Sequence, residues 1–141
     1  MSEAVPVTIV DYGMGNLRSV EKAVAAVGGR PTISGDAAAV RAGTRIILPG
    51  VGAFGDAMEN LRRGGLDVAL REAASAGRPL LGLCLGLQLL FSESEEFGHH
   101  RGLDLIPGRV RRFREPGLRV PHVGWNQIEL LRPDPLLENL P

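Results

Sequence analysis

The sequence predicts an α/β protein built on a mostly parallel sheet with helices on both faces. Short apolar runs rich in Val, Ile and Leu alternate with segments whose apolar residues recur every three or four positions. Gly-rich turns separate most of these runs. One run passes into a helical pattern at a lone cysteine, with no turn cluster between them. Strands alternating with helices bury their apolar faces by forming a parallel sheet covered on both sides.

Residues 5–10 read as a buried first strand, ended by the turn Asp11-Tyr-Gly-Met-Gly-Asn16. Leu17, Val20, Val24 and Val27 mark one face of a helix, and Gly28-Gly29 stops it. A weak strand at 30–34 and an alanine-rich helix at 36–41 follow. Residues 45–48 form a third strand, leading into Pro49-Gly-Val-Gly-Ala-Phe-Gly-Asp56. Helices are expected at 57–63 and 67–76, then a strand at 79–83 buried on both faces and a helix at 85–91. Beyond Phe91 the pattern changes. Residues 92–102 are polar and acidic, while 103–106, 109–113 and 125–131 read as short strands with an antiparallel character. Residues 133–139 suit a short helix.

The cysteine is the most informative position. Gly82 and Gly86 flank Cys84 two residues away on each side, the pattern of a nucleophile elbow with cysteine in place of serine. A thiol at a helix N-terminus faces unpaired N–H groups and the positive end of the helix dipole, and both favour the thiolate. The N–H of Leu85 is placed to donate to an oxyanion. Gln88 lies one helical turn above Cys84, an amide in a greasy helix that needs a polar partner. The alternative is a small core hydrophobe at Cys84 with Gln88 reaching solvent.

Composition narrows the classes. A chain of 141 residues that is 44% hydrophobic has material for one domain with a real core. Lys plus Arg balance Asp plus Glu at 16 each, so no net field draws in nucleic acid or an acidic membrane. One cysteine excludes an intrachain disulfide and a cysteine-based zinc site. No apolar run approaches a membrane span and no signal-peptide pattern opens the chain, so a cytoplasmic location is expected. The basic run Arg109, Arg111, Arg112, Arg114 reads as the wet face of a strand, and Glu93, Glu95 and Glu96 as a solvated helix end.

The loop Gly50-Val-Gly-Ala-Phe-Gly55 matches a dinucleotide fingerprint between strand and helix, but the next strand ends in Cys84 instead of an acid. In the first turn, Arg18 stands where the fingerprint wants its third glycine. The 49–52 loop has another use, since its glycines let a substrate approach the main chain and a second N–H face the oxyanion. A non-catalytic binding module using these loops is the competing reading.

Four motifs carry a family resemblance: Asp11-Tyr-Gly-Met-Gly-Asn16, Leu48-Pro-Gly-Val-Gly-Ala-Phe54, the stretch from Gly82 through Glu96, and Pro121-His-Val-Gly-Trp-Asn126. Together they resemble the class I glutamine amidotransferases, and among them the glutaminase subunits of imidazole glycerol phosphate synthases in histidine biosynthesis. That resemblance implies a flavodoxin-like sheet and Cys84 as nucleophile toward glutamine, with no cofactor or metal. It implies an oxyanion hole from Val51 and Leu85, and glutamine held by Gly52, Gln88 and Glu96. It also implies ammonia transfer to a (β/α)8-barrel cyclase subunit facing Asn16, His122, Trp125 and Asn126. Trp125 is the only tryptophan, and its polar, Gly- and Pro-containing surroundings suit an interface anchor. Another class I glutaminase with a different acceptor is a related reading.

The chain departs from the family at one point. The family completes its triad with a His-x-Glu after the interface motif, and the histidines here are His99, His100 and His122. Residues 1–141 are therefore expected to be the N-terminal portion of one glutaminase domain, with its C-terminal part incomplete and little or no activity alone.

Overall fold

The four strands β1 (Val5–Val10), β2 (Gly29–Ser34), β3 (Ile46–Leu48) and β4 (Leu80–Gly82) form one parallel sheet in the order β2-β1-β3-β4. This is a computed structural model, and it describes residues 3–138. Thr8 stands opposite Ile46, Ile46 opposite Leu80, and Leu48 opposite Gly82, so the strands end along one edge. From β1 the chain moves outward to β2, then crosses back to β3 on the other side of β1. The reversal opens a crevice at the carboxyl ends of β1 and β3, the position where open α/β sheets bind ligands. With strand order β2-β1-β3-β4, the right-handed rule for parallel crossovers assigns α1 (Leu17–Ala26) to one face, and α2 (Ala37–Ala42) to the other with the helices that follow β3. The packing of α4 (Leu66–Ser75) against both α2 and α3 (Phe54–Arg63) fits that arrangement.

Periodicity explains the core. Phe54, Ala57, Met58 and Leu61 recur at i, i+3, i+4 and i+7 along α3, and all are fully buried. Leu66, Ala69, Leu70 and Ala73 repeat the spacing on α4 and are buried with them. Ile46, Leu48 and Leu89 of α5 (Leu85–Leu89) close the cluster from the sheet side and the elbow side. Local caps define other helix ends. Asn16 accepts from the Ser19 N–H at the head of α1, and Asp36 accepts from the Ala39 N–H at 2.9 Å ahead of α2.

A second sheet, order β6-β5-β7, comprises β5 (Phe91–Ser94), β6 (His100–Arg101) and β7 (Ile106–Val110). Only the β5–β6 pair is antiparallel; β5 and β7 run parallel, against the antiparallel expectation. The other departures from the sequence reading have local causes. Among the described residues β4 pairs with β3 alone, and Leu81 is 37% exposed instead of buried on both faces. The α1 face loses Val27, which is 85% exposed, because Gly28 at φ 82° turns the chain first. The expected 85–91 helix ends at Leu89. Leu103 N–H bonds the Leu89 carbonyl, and the N–H groups of Leu105 and Ile106 both bond that of Leu90. Residues 103–105 are thus a cap on α5 and not a strand, with Asp104 at φ 55° making the turn. Glu93 lies on β5 and Glu95 just beyond it, not on a helix end, and both pair with Arg109.

Residues 125–131 form no strand, since a strand needs a ladder partner and none of the described residues supplies one. The expected 133–139 helix is a 3-10 turn, Pro135–Leu137, and Asn139 lies outside the described residues. No helix among the described residues is long and apolar enough to cross a membrane. Phe54→Ala should lower stability by about 3–5 kcal/mol, because it empties the centre of the core. The urea midpoint measures it, and a change below about 1 kcal/mol contradicts this packing.

Candidate active site

Cys84 stands between β4 and α5 with φ 55° and ψ −115°, a conformation that costs an L-residue about 1–3 kcal/mol. The surrounding backbone enforces it. Leu83 N–H donates to the Leu48 carbonyl at 3.0 Å, which extends the β3–β4 ladder to the edge of the elbow. A Cβ on Gly86 would overlap that same Leu48 oxygen, and one on Gly82 would strike the Leu87 backbone at about 2.5 Å. Both glycines are therefore required by close approach, as the sequence pattern implied. Cys84 is an exposed residue and not part of the buried core.

The 49–52 loop lies directly on this bend. A Cβ at Gly50 would meet Gly86 N and Leu85 Cβ, so the loop touches the first turn of α5 one residue from Val51. Among the described residues neither the Val51 N–H nor the Leu85 N–H makes a hydrogen bond. Gly52 has φ 108°, closed to most side chains, and Met14 fills the space a Cβ would take. Tyr12, which the sequence offered only as a turn residue, is buried beneath the loop and donates its hydroxyl to the Pro49 carbonyl at 2.8 Å. Burial, and the nearby Cys84 charge after it, push the Tyr12 phenol up to about 12. A sole tyrosine two residues past a buried strand was the available signal.

Glu96 sits where α3 begins. Ala53 has no side chain to cap the helix, and Glu96 Oε2 accepts the Phe54 N–H at 2.7 Å from 42 residues away. The carboxylate thus occupies the helix terminus that a dinucleotide pyrophosphate would need. The loop glycines are also filled from within, Gly50 by Tyr12 and Gly55 by the His100 ring. This arrangement disfavours the nucleotide reading.

Gln88 and Glu96 line one cleft of about 620 Å³, with Glu95 beside them and Arg111, Arg112 and Phe113 also in its wall. His122 lines it too, whereas Asn16 heads α1 and Trp125 and Asn126 lie exposed in the segment after Phe113. Trp125 is fully exposed and packs into no core. Asn126 accepts from the neighbouring Gln127 N–H. Among the described residues no hydrogen bond reaches the Cys84 thiol, and His99 is bound to Glu93 at 2.7 Å. That bond, then the Arg109 charge, holds the Glu93 carboxyl below the usual carboxylate range. No group of three or more described His, Cys, Asp or Glu side chains could hold a metal ion.

The family model described as Glutamine amidotransferase class-I matches residues 8–138. The chain belongs to this family. Among curated relatives, an imidazole glycerol phosphate synthase subunit HisH from Syntrophotalea carbinolica is 53% identical over 140 residues. That match covers 95% of this chain and 68% of the relative. Proteins of the same name from Moorella thermoacetica and Synechococcus elongatus are 54% and 51% identical. Those matches cover 96% and 99% of this chain, but 64% and 65% of the relatives. This class I glutamine amidotransferase chain therefore spans about two thirds of the length of the relatives it matches.

The buried phenol makes a testable contribution. Folded Tyr12 holds its proton up to about pH 12, against 10.0 ordinarily. Its stabilisation is therefore complete below pH 10 and fades as pH rises toward 12, by about 2–3 kcal/mol. Urea unfolding from pH 8 to 11.5 should show this slope, and Tyr12→Phe should remove it. An identical slope in the variant contradicts the assignment.

Proposed function

We propose that this protein is a glutaminase in which Cys84 attacks the side-chain carboxamide of glutamine. The observation that carries the reading is an exposed cysteine held at φ 55° on a strand-to-helix bend, within a class I glutamine amidotransferase sequence. The sulfur–carbon bond forms as the amide nitrogen departs with a proton, leaving a γ-glutamyl thioester and ammonia. Water then cleaves the thioester to glutamate and restores the thiol. The unengaged N–H groups of Val51 and Leu85 supply the oxyanion donors. Gly52, Gln88 and Glu96 hold the amino acid. The neighbouring cleft carries both signs of charge, Glu95 and Glu96 with Arg111 and Arg112, which suits a zwitterionic ligand.

The HisH name borne by the relatives supports an assignment to imidazole glycerol phosphate synthase and histidine biosynthesis. In that assignment the protein works in the cytoplasm and delivers ammonia to a (β/α)8 cyclase subunit. Asn16, His122, Trp125 and Asn126 face that partner, and the complete exposure of Trp125 supports this role. The leaving ammonia also needs an acid, and neither His99, tied to Glu93, nor His100, packed on Gly55, is engaged with the thiol.

A diazoketone analogue of glutamine should label Cys84 and nothing else, with glutamine protecting it and Cys84→Ala abolishing the adduct. Labelling that glutamine does not slow overturns the glutaminase reading. Trp125→Ala should weaken cyclase binding by at least about tenfold in a fluorescence or calorimetric titration. Unchanged affinity removes Trp125 from the interface.

A further inference from the structure

Tyr12 has no place in the chemistry above, yet its hydroxyl touches the loop on which that chemistry depends. It is 6% exposed and belongs to the main core cluster, so its ring is fixed by packing. Its one polar atom donates to the Pro49 carbonyl at 2.8 Å, across 37 residues of sequence. The same oxygen stands about 2.6 Å from where a Gly50 Cβ would be, so the phenol supports the loop under two consecutive residues. On the other side the loop rests on α5, where Gly86 leaves room for Leu48 and Pro49 backbone atoms. Pro49 also meets the first turn at Gly15, whose absent side chain leaves space for the proline ring.

Val51 lies between Gly50 and Gly52, so the loop has little stiffness of its own at the peptide that presents its N–H. An oxyanion donor is effective only when its direction is set before charge develops, because reorientation during reaction costs part of the stabilisation. The nearest fixed point in the chain is the Pro49 carbonyl, and the phenol is the side chain that fixes it.

We propose that Tyr12 is a positioning residue for catalysis, its hydrogen bond to Pro49 setting the 49–52 loop so that the Val51 N–H meets the oxyanion formed beside Cys84. This rests on the glutaminase reading. Tyr12 touches neither substrate nor thiol in this role, and no proton moves through it. The bond matters most where charge is greatest, so its loss should appear in kcat and not in KM.

The test uses the full-length protein with its ammonia-accepting partner. Tyr12→Phe keeps the ring and deletes the donor. Glutamine hydrolysis should fall about 10- to 100-fold in kcat, with KM within about threefold. Alkylation of Cys84 by iodoacetamide displaces iodide and forms no oxyanion, so its rate should stay within twofold of the parent, about the scatter of such comparisons. Tyr12→4-aminophenylalanine retains an N–H donor at the same place and should recover most of the lost kcat. Unchanged kcat in Tyr12→Phe overturns the inference. So does an equal loss of hydrolysis and alkylation, or a 4-aminophenylalanine variant as slow as the Phe variant. A parent protein that alkylates at Cys84 yet never hydrolyses glutamine overturns the glutaminase reading itself, and this inference with it.

Discussion

The contact between the Leu48 carbonyl and the backbone of Gly86 is the constraint from which the site follows. That oxygen accepts the Leu83 N–H, so it belongs to the β3–β4 ladder, and it also lies against α5. A helix can start so close to a strand only if the facing residue has no side chain. With Gly86 there, the chain must reverse within a single residue, and Cys84 takes the left-handed conformation that the reversal requires. The strain is tolerated because the packing of Leu85 and Leu89 on one side and the ladder on the other over-determine it. Exposure of Cys84 is thus a result of backbone geometry.

A second long-range bond organises the neighbouring wall. α3 begins without a local cap, and its first N–H is satisfied by Glu96, in the connection between β5 and β6 of the second sheet. Glu96 is itself held by Ser94, whose buried hydroxyl accepts the Glu96 N–H at 3.1 Å. The second sheet is therefore tied to the end of the 49–53 loop, and Glu96 comes to line the same cleft as Gln88. One carboxylate stabilises a helix terminus, lends the cleft negative charge, and removes the anion site that a Gly-x-Gly-x-x-Gly loop would otherwise advertise.

The elements legible in sequence were those with a complete local signature. α3 and α4 carry an apolar face at helical spacing, and Asp36 caps α2 from the adjoining position. The close approach at Gly82 and Gly86 was readable because only a tight turn explains that spacing around a cysteine. The misread segments were satisfied from afar. Leu103 and Leu105 have the apolar character of a strand, yet their N–H groups are spent on the Leu89 and Leu90 carbonyls at the end of α5, and that of Asp104 on Phe91 at the start of β5. Glu93 and Glu95 resemble a solvated run until Arg109 is placed opposite them by the parallel pairing of β5 and β7. Tyr12 gave only the weak signal of a sole tyrosine close after a buried strand, since its partner is a carbonyl on another loop.

By itself the sequence determined the α/β class, the strand order along the chain, the amphipathic helix faces and the cysteine elbow. All of these depend on residues within a few positions of one another, where periodicity and the absence of a Cβ act directly. Tertiary structure alone decided that Tyr12 supports the 49–52 loop, that Glu96 caps α3, and that Gln88, Glu96 and His122 share one cleft. Those contacts satisfy buried polar groups across 37 and 42 residues of chain. A hydrogen-bond donor in a sequence does not say which distant acceptor the winding of the sheet will bring to it.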